Sequence, residues 1–284
     1  MGDLRDLFFE ELVQKMKDNK NTILLSIDMG SQIVNQNMDF IKNQYFNVGV
    51  SEANAISMAV GLSSRGYEVF VYGISTFIFN RPRAQIRHDS IIGNNPINII
   101  GSGDGLTYPQ DGPSHHSVDD FVSLSSLPKS SLIIPFDKES VKKTFEICNE
   151  KNLTTFIKLD KGQVLDEQLN YNNGFYFKIK NKKQWVFTTG KESMNYIEEK
   201  YKDHSIACLL ATSPKNELFF KKYIDHNTKI IVDDETFTYG GLFSYLATIH
   251  AITLNNNIVN KTFNNEFIQE KYNRETLRNK YGIK

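Results

Sequence analysis

Two short segments bring together side chains that could do chemistry. In Asn47-Val48-Gly49-Val50-Ser51-Glu52 a carboxylate stands where a strand runs into the first turn of an apolar helix. Helix-end amides favour the anion of such an acid and apolar surroundings favour its protonated form, so the site suits either a poised carboxyl or a simple cap. In Asp111-Gly112-Pro113-Ser114-His115-His116 a Gly-Pro turn follows an apolar strand and presents an acid with two imidazoles. Loops at the carboxyl ends of parallel strands are where α/β proteins build sites. Adjacent histidines more often split one inward and one outward than share a metal, so acid/base work or hydroxyl binding is the expectation. A phosphate-binding Walker loop, a Gly-x-Gly-x-x-Gly turn and a Gly-x-Ser-x-Gly elbow are all missing, which leaves nucleotide hydrolysis, hydride transfer and serine esterase chemistry without support.

The elements that must hold these segments alternate. Apolar residues at helical spacing from Leu4 to Met16 predict a helix, followed by a strand over 22–27. Further strands are expected over 45–50, 68–72, 97–100, 131–134 and 154–159, with helices over 52–64, 84–92, 118–124 and 138–150. The polar, Asn/Lys-rich stretch 166–183 reads as a linker or surface hairpin. A second series then has strands over 184–188, 206–211 and 229–232 and helices over 193–201, 216–224 and 241–250, with loop tips at Asn255–Asn257 and Asn264–Asn265. Continuous apolar strands alternating with helices predict an α/β chain of two consecutive domains, 1–165 and 184–284, with mainly parallel sheets covered by helices.

Composition narrows the partners. The 284 residues suffice for two domains, and 33 basic against 33 acidic side chains give a formal net charge of +0. No nucleic acid and no membrane are expected as partners on that balance. Cys148 and Cys208 lie far apart without ligand spacing, which points to buried thiols in a reducing compartment and away from zinc or a disulfide. The first twenty residues lack a secretory pattern and no run of 18 apolar residues occurs, so a soluble, cytoplasmic protein is expected.

Several segments together resemble one family. Gly49-Val50-Ser51-Glu52-Ala53-Asn54 with Ala59-Val60-Gly61-Leu62, then Ser75-Thr76-Phe77, then Asp111-Gly112-Pro113-Ser114-His115 follow the order and approximate spacing of the pyrimidine-binding domain of transketolases. Val232-Asp233-Asp234-Glu235, Gly240-Gly241-Leu242 and the run from Glu275 to Ile283 are similar to the C-terminal domain of the same family. The resemblance implies the second subunit of a split transketolase, because the chain starts almost directly at the pyrimidine-domain helix. Gly103-Asp104-Gly105 looks like the opening of the thiamine diphosphate metal motif. Its Asn-Asn end is missing, with Ser130, Ser131 and Leu132 in that window, so it reads as a loop turn.

What the resemblance implies can be carried over residue by residue. Glu52 would hydrogen-bond the aminopyrimidine ring of thiamine diphosphate and promote its imino form, with Phe77 and Phe79 as aromatic walls. Asp111 and His115 would contact a hydroxyl and the carbonyl of a ketose, with His115 catalytic alongside Glu52; the role of His116 stays open. Arg5 fits the family's phosphate-binding pattern, whereas Lys161 stands where an arginine is expected, exchanging a bidentate fork for a point charge. The sugar is therefore expected to be unphosphorylated or to carry phosphate elsewhere, as in a nucleotide-linked sugar. Mg2+ or Ca2+ would be held mainly by a partner chain that carries the diphosphate-binding domain, in an α2β2 complex, with no metal ligand on this chain. The alternatives are another thiamine-dependent carboligase, such as a deoxyxylulose-phosphate-synthase-like enzyme, a keto-acid dehydrogenase β subunit, or a non-catalytic assembly subunit.

Overall fold

The computed structural model describes residues 2–150, 152–164, 169–251, 258–263 and 272–280. They form two compact units, Met1–Gly103 with Leu127–Val164, and Asp104–Ser126 with Leu165–Lys284.

The first unit is built on strands β1 (Thr22–Ser26), β2 (Tyr45–Asn47), β3 (Glu68–Ile74), β4 (Asn98–Ser102), β5 (Ser130–Ile133) and β6 (Thr154–Leu159), in the order β2-β1-β3-β4-β6-β5. Every neighbouring pair is parallel. All residues of β1, β4 and β6 are buried. That is why their sequences run as near-continuous apolar stretches instead of alternating. The helix Leu4–Asp18 buries Phe8 and Phe9, which meet Phe145 and Tyr72 with ring centroids 4.8 Å apart in each case. Its cap, Asp3, accepts from the Arg5 amide at 2.9 Å and from the Gly162 amide at 2.7 Å, which ties the helix start to the chain leaving β6.

The second unit carries β7 (Asn170–Asn172), β8 (Phe175–Lys178), β9 (Gln184–Thr188), β10 (Ser205–Leu209), β11 (Lys229–Phe237) and β12 (Ile258–Phe263), in the order β12-β11-β9-β10-β8-β7. β10, β9, β11 and β12 are parallel, and the β7–β8 hairpin adds two antiparallel strands beside β10. The core here is aromatic. Phe175 lies 4.5 Å from Phe219, and fully buried Trp185 stacks on Phe187 at 6.1 Å.

Two findings refine the expected organisation. The polar stretch after β6 becomes a hairpin that belongs to the second sheet, because the alternating aromatics Phe175 and Phe177 bury into its core. Segment Asp104–Ser126, which precedes the last two strands of the first sheet in sequence, clusters with the second unit. Within the expected helix over 84–92 the chain opens into a wider π-helical turn, Ile86–Ile92. Helices Gln32–Gln36, Met38–Ile41 and Ser75–Asn80 and strand Ile258–Phe263 were not expected. The asparagine loop tips at 255–257 and 264–265 and the end of the family-like tail, 281–283, lie outside the described residues. Cys148 and Cys208 are both buried and neither is in a disulfide, and burial pushes the Cys148 thiol up to about 12. No helix among the described residues is long and apolar enough to cross a membrane.

Candidate active site

In the first unit the candidate carboxylate sits at the start of helix Glu52–Ser63 and is 8% exposed. The approach is made by Gly49 at φ +72°, a left-handed conformation natural to glycine, and by Ser51, whose hydroxyl donates to the Val48 carbonyl at 2.9 Å. Ser51 makes no side-chain capping bond, and the Glu52 carboxylate does not turn back on its own helix either. It reaches across to Arg81, whose Nη1 donates to Oε1 at 2.5 Å. Oε2 has no hydrogen-bond partner among the described residues.

Arg81 is delivered by the short helix Ser75–Asn80. Phe77 lies one helical turn before it, and the guanidinium stacks 4.1 Å from the Phe77 ring centroid. That helix is seated on the end of β4 by a glycine. A Cβ at Gly101 would come within 2.5 Å of both the Ser75 hydroxyl and the Phe79 ring, and Ser75 donates to the Gly103 carbonyl at 2.5 Å. Phe77 is therefore held half-buried beside Glu52's partner. Phe79 is not: it is fully buried, edge-on to Phe156 of β6 at 5.8 Å. Its expected place as a second cofactor wall is corrected to a core position, because a residue two along a helix from Phe77 points to a different face.

Arg5 and Lys161 are brought to one seam of the same unit. The Leu4 amide donates to the Gly162 carbonyl at 3.0 Å, and Asp3 bridges to Gln163, so the two half-buried cations flank a single backbone junction.

In the second unit Asp111, His115 and His116 share one loop. Its base is closed by the Ser117 amide donating to the Gly105 carbonyl at 2.9 Å, and its turn by the His115 amide donating to the Gly112 carbonyl at 3.0 Å. Gly112 takes φ +79°. Asp111 is exposed at the tip, His115 is half-buried, and the hydroxyl of Ser114 lies 3.0 Å from His115 Nδ1. His116 is the inward member of the pair, 3% exposed. Burial lowers its pKa against the opposing pull of a hydrogen bond to the Pro109 carbonyl, and its Nε2 has no hydrogen-bond partner among the described residues. The two imidazoles thus split as adjacent side chains usually do, and His116, whose role the sequence leaves open, packs as a strut inside the loop.

Two further groups at these sites were given no role by the sequence. Arg81 is signalled only by its four-residue spacing from Phe77. Glu235, on β11, accepts the Leu106 amide at 3.0 Å at the base of the His115 loop. Its signal was the run of three acids, Asp233 to Glu235, on a strand paired on both sides, where each charge needs a buried partner.

The six-stranded parallel sheet followed by a six-stranded mixed sheet has the fold of transketolases. A solved split-gene transketolase, described as an inactive beta4 tetramer, superposes with TM-score 0.82 over 99% of this chain and 94% of that one, at 18% identity. Residues 2–164 match the pyrimidine-binding domain of transketolase, and the chain belongs to that family. It is 24% identical over 163 residues to one subunit of the apulose-4-phosphate transketolase of Phocaeicola vulgatus, a match covering 57% of this chain and 52% of that protein. It is 24% identical over 271 residues to the 1-deoxy-D-xylulose-5-phosphate synthase of Clostridium acetobutylicum, 90% of this chain and 43% of that protein. The chain spans about half the length of the curated relatives it matches.

The family depends on thiamine diphosphate. The residues present fit the pyrimidine end of that cofactor: a buried carboxylate with one oxygen held by Arg81 and the other unpartnered, next to a half-buried aromatic ring. Among the described residues, no group of three or more His, Cys, Asp or Glu is placed to hold a metal.

Proposed function

We propose that this chain is the pyrimidine-binding subunit of a two-chain, thiamine-diphosphate-dependent transketolase that moves a two-carbon ketol unit from a ketose to an aldose. The observation that carries this reading is the buried Glu52 carboxylate, held through Oε1 by Arg81 and open at Oε2 beside Phe77. The cofactor, when bound, supplies the carbanion chemistry. Glu52 would accept from the pyrimidine ring through Oε2 and hold the shared proton there, and Phe77 would stack against the ring. Asp111 at the loop tip would accept from a ketose hydroxyl, and His115 would donate to the developing alkoxide oxygen. Arg5 and Lys161 provide one guanidinium and one ammonium, which suits an unphosphorylated or nucleotide-linked sugar better than a bidentate phosphate clamp.

A diphosphate-binding partner chain, holding Mg2+ or Ca2+, would complete the site in an α2β2 complex in the cytoplasm. The outer face of helix Glu52–Ser63 supports this: Ala53, Asn54, Ser57, Met58 and Gly61 are exposed next to Val50, which is 69% exposed. Apolar surface gathered beside a half-site usually marks an interface. The similarity to the synthase over 271 residues favours one other reading, a carboligase of the 1-deoxy-D-xylulose-5-phosphate synthase type. Coexpression with a diphosphate-binding subunit, native mass measurement and a donor assay separate the two. The proposal requires an α2β2 mass that gains thiamine diphosphate with magnesium and releases glycolaldehyde units from a ketose. Formation of 1-deoxy-D-xylulose 5-phosphate without ketol transfer would replace it with the synthase reading, and tight cofactor binding by this chain alone would remove the split site.

A further inference from the structure

We propose that Glu235 is the positioning residue of the Asp111–His116 loop, and that Arg274 of the helix Arg274–Lys280 holds it in place. This inference rests on the reading of Asp111 and His115 as ketose-binding groups, but its geometry lies entirely within the second unit. The loop emerges from Gly105 and returns at Ser117 and Val118, and both stems are fastened to β11. On the return side the Phe237 amide donates to the Val118 carbonyl at 3.0 Å. On the outgoing side the Leu106 amide donates to Glu235 Oε2 at 3.0 Å.

Arg274 makes the second contact a clamp. Its Nε lies 2.9 Å from both Glu235 oxygens, its Nη2 lies 2.5 Å from Oε2, and the same Nη2 donates to the Asp104 carbonyl at 3.2 Å. One guanidinium thus grips the carboxylate and the loop backbone together, using the planar fork that makes arginine suited to such bridges. Arg278 holds Oε1 from the far side at 3.1 Å and continues to Asp233 at 3.2 Å, where Lys200 and Tyr201 also converge at 2.7 and 2.8 Å. The carboxylate cannot shift without uncoupling this buried network.

Gly105 shows how close the fit is. A Cβ there would fall 2.3 Å from Glu235 Oε2, and its φ of +54° also disfavours a side chain. The glycine of Gly103-Asp104-Gly105 is thereby explained by the approach of Glu235, not by a metal. Below the clamp Leu106, Val118, Phe237 and Leu277 form one apolar cluster. Both stems are buried and fastened to β11, and only the tip, with Asp111, is exposed, an arrangement that fixes where His115 is presented.

The test uses Glu235→Gln, which keeps an oxygen for the Leu106 amide but loses the charge that draws Arg274, together with Arg274→Met at the rim, where the side chain is 16% exposed. Amide exchange in the full chain should accelerate about tenfold or more across 104–118 while β9 and β10 keep their protection. In the two-chain complex KM for the ketose should rise about tenfold with thiamine diphosphate affinity changed less than about twofold, a split that general loss of structure does not produce. Unchanged exchange in either folded variant overturns the anchor. Faster exchange with an unaltered ketose KM overturns the positioning role. A wild-type complex without ketol transfer refutes the functional reading instead, and the exchange result still decides the anchor.

Discussion

Arg81 and Glu52 form an ion pair at 2.5 Å in which the arginine is half exposed and the carboxylate is nearly buried. Because the guanidinium also lies on Phe77, one side chain sets both the direction of the acid and the face of the aromatic ring. Such a pair contributes little to stability when one partner is wet, so its value lies in orientation.

Glu52→Gln should therefore fold and assemble, and lower turnover by at least about a hundredfold, the lower range for removing a positioned proton-handling group. Gln keeps the size but cannot share the proton. Arg81→Met should shift stability by no more than about 1 kcal/mol and weaken thiamine diphosphate binding severalfold in the complex. Calorimetry and initial rates report both; wild-type turnover in Glu52→Gln would reduce Glu52 to a helix-end residue.

His115→Ala should impair ketol transfer and leave cofactor affinity nearly unchanged, since His115 is assigned to the sugar and not to the cofactor ring. In the tautomer where Ser114 donates to Nδ1, Nε2 carries the proton that a substrate oxygen would accept. Loss of cofactor binding in a folded variant would move His115 from the sugar to the cofactor.

Much of this arrangement is legible in the sequence because β1, β4 and β6 are buried on both faces and the helices between the strands keep a 3.6-residue period. The Glu52 helix and the His115 loop follow from turn signals at Gly49 and Gly112-Pro113. What the sequence hides is pairing at a distance. Phe77 and Phe79 are equivalent as residue types, and only the six-residue helix Ser75–Asn80 decides that one is half-buried and the other sealed. Glu235 is separated from Leu106 by 129 residues, so no spacing rule could join them. The short helices were missed because four to six residues give no periodicity to read.

The correction at Phe79 carries its own prediction. Phe79→Ala should cost about 3–5 kcal/mol through the cavity left against Phe156 and Gly101. Thiamine diphosphate affinity of whatever complex folds should be unchanged, because the ring has no exposed face to offer. Urea unfolding and calorimetry measure the two separately. A stable variant with weakened cofactor binding would restore Phe79 to the site.

The last prediction concerns pH and the Glu235 clamp. Burial alone would push this carboxyl up, but the guanidiniums of Arg274 and Arg278, with hydrogen bonds from Arg274 and the Leu106 amide, outweigh it and hold it at about 2 against an ordinary 4.5. A folded-state value below the unfolded one means that the unfolded chain binds the proton first as pH falls. The stabilisation is therefore complete above the ordinary carboxylate range and is lost progressively between about pH 4.5 and 2, on the order of 3 kcal/mol in all. The side chain is only 5% exposed, so solvent screening takes little from it. Other acids titrate in the same window, which makes the difference between wild type and Glu235→Gln the informative quantity. Trp185, the chain's single tryptophan, is buried in the second unit and reports its unfolding by fluorescence. The wild type should exceed the variant in urea midpoint at neutral pH, and that advantage should shrink steadily as pH falls from 4.5 toward 2. An advantage that persists undiminished to pH 2 would mean that Glu235 does not depend on its charge to hold Arg274, and that the loop is fastened by its backbone contacts and the Leu106–Leu277 cluster alone.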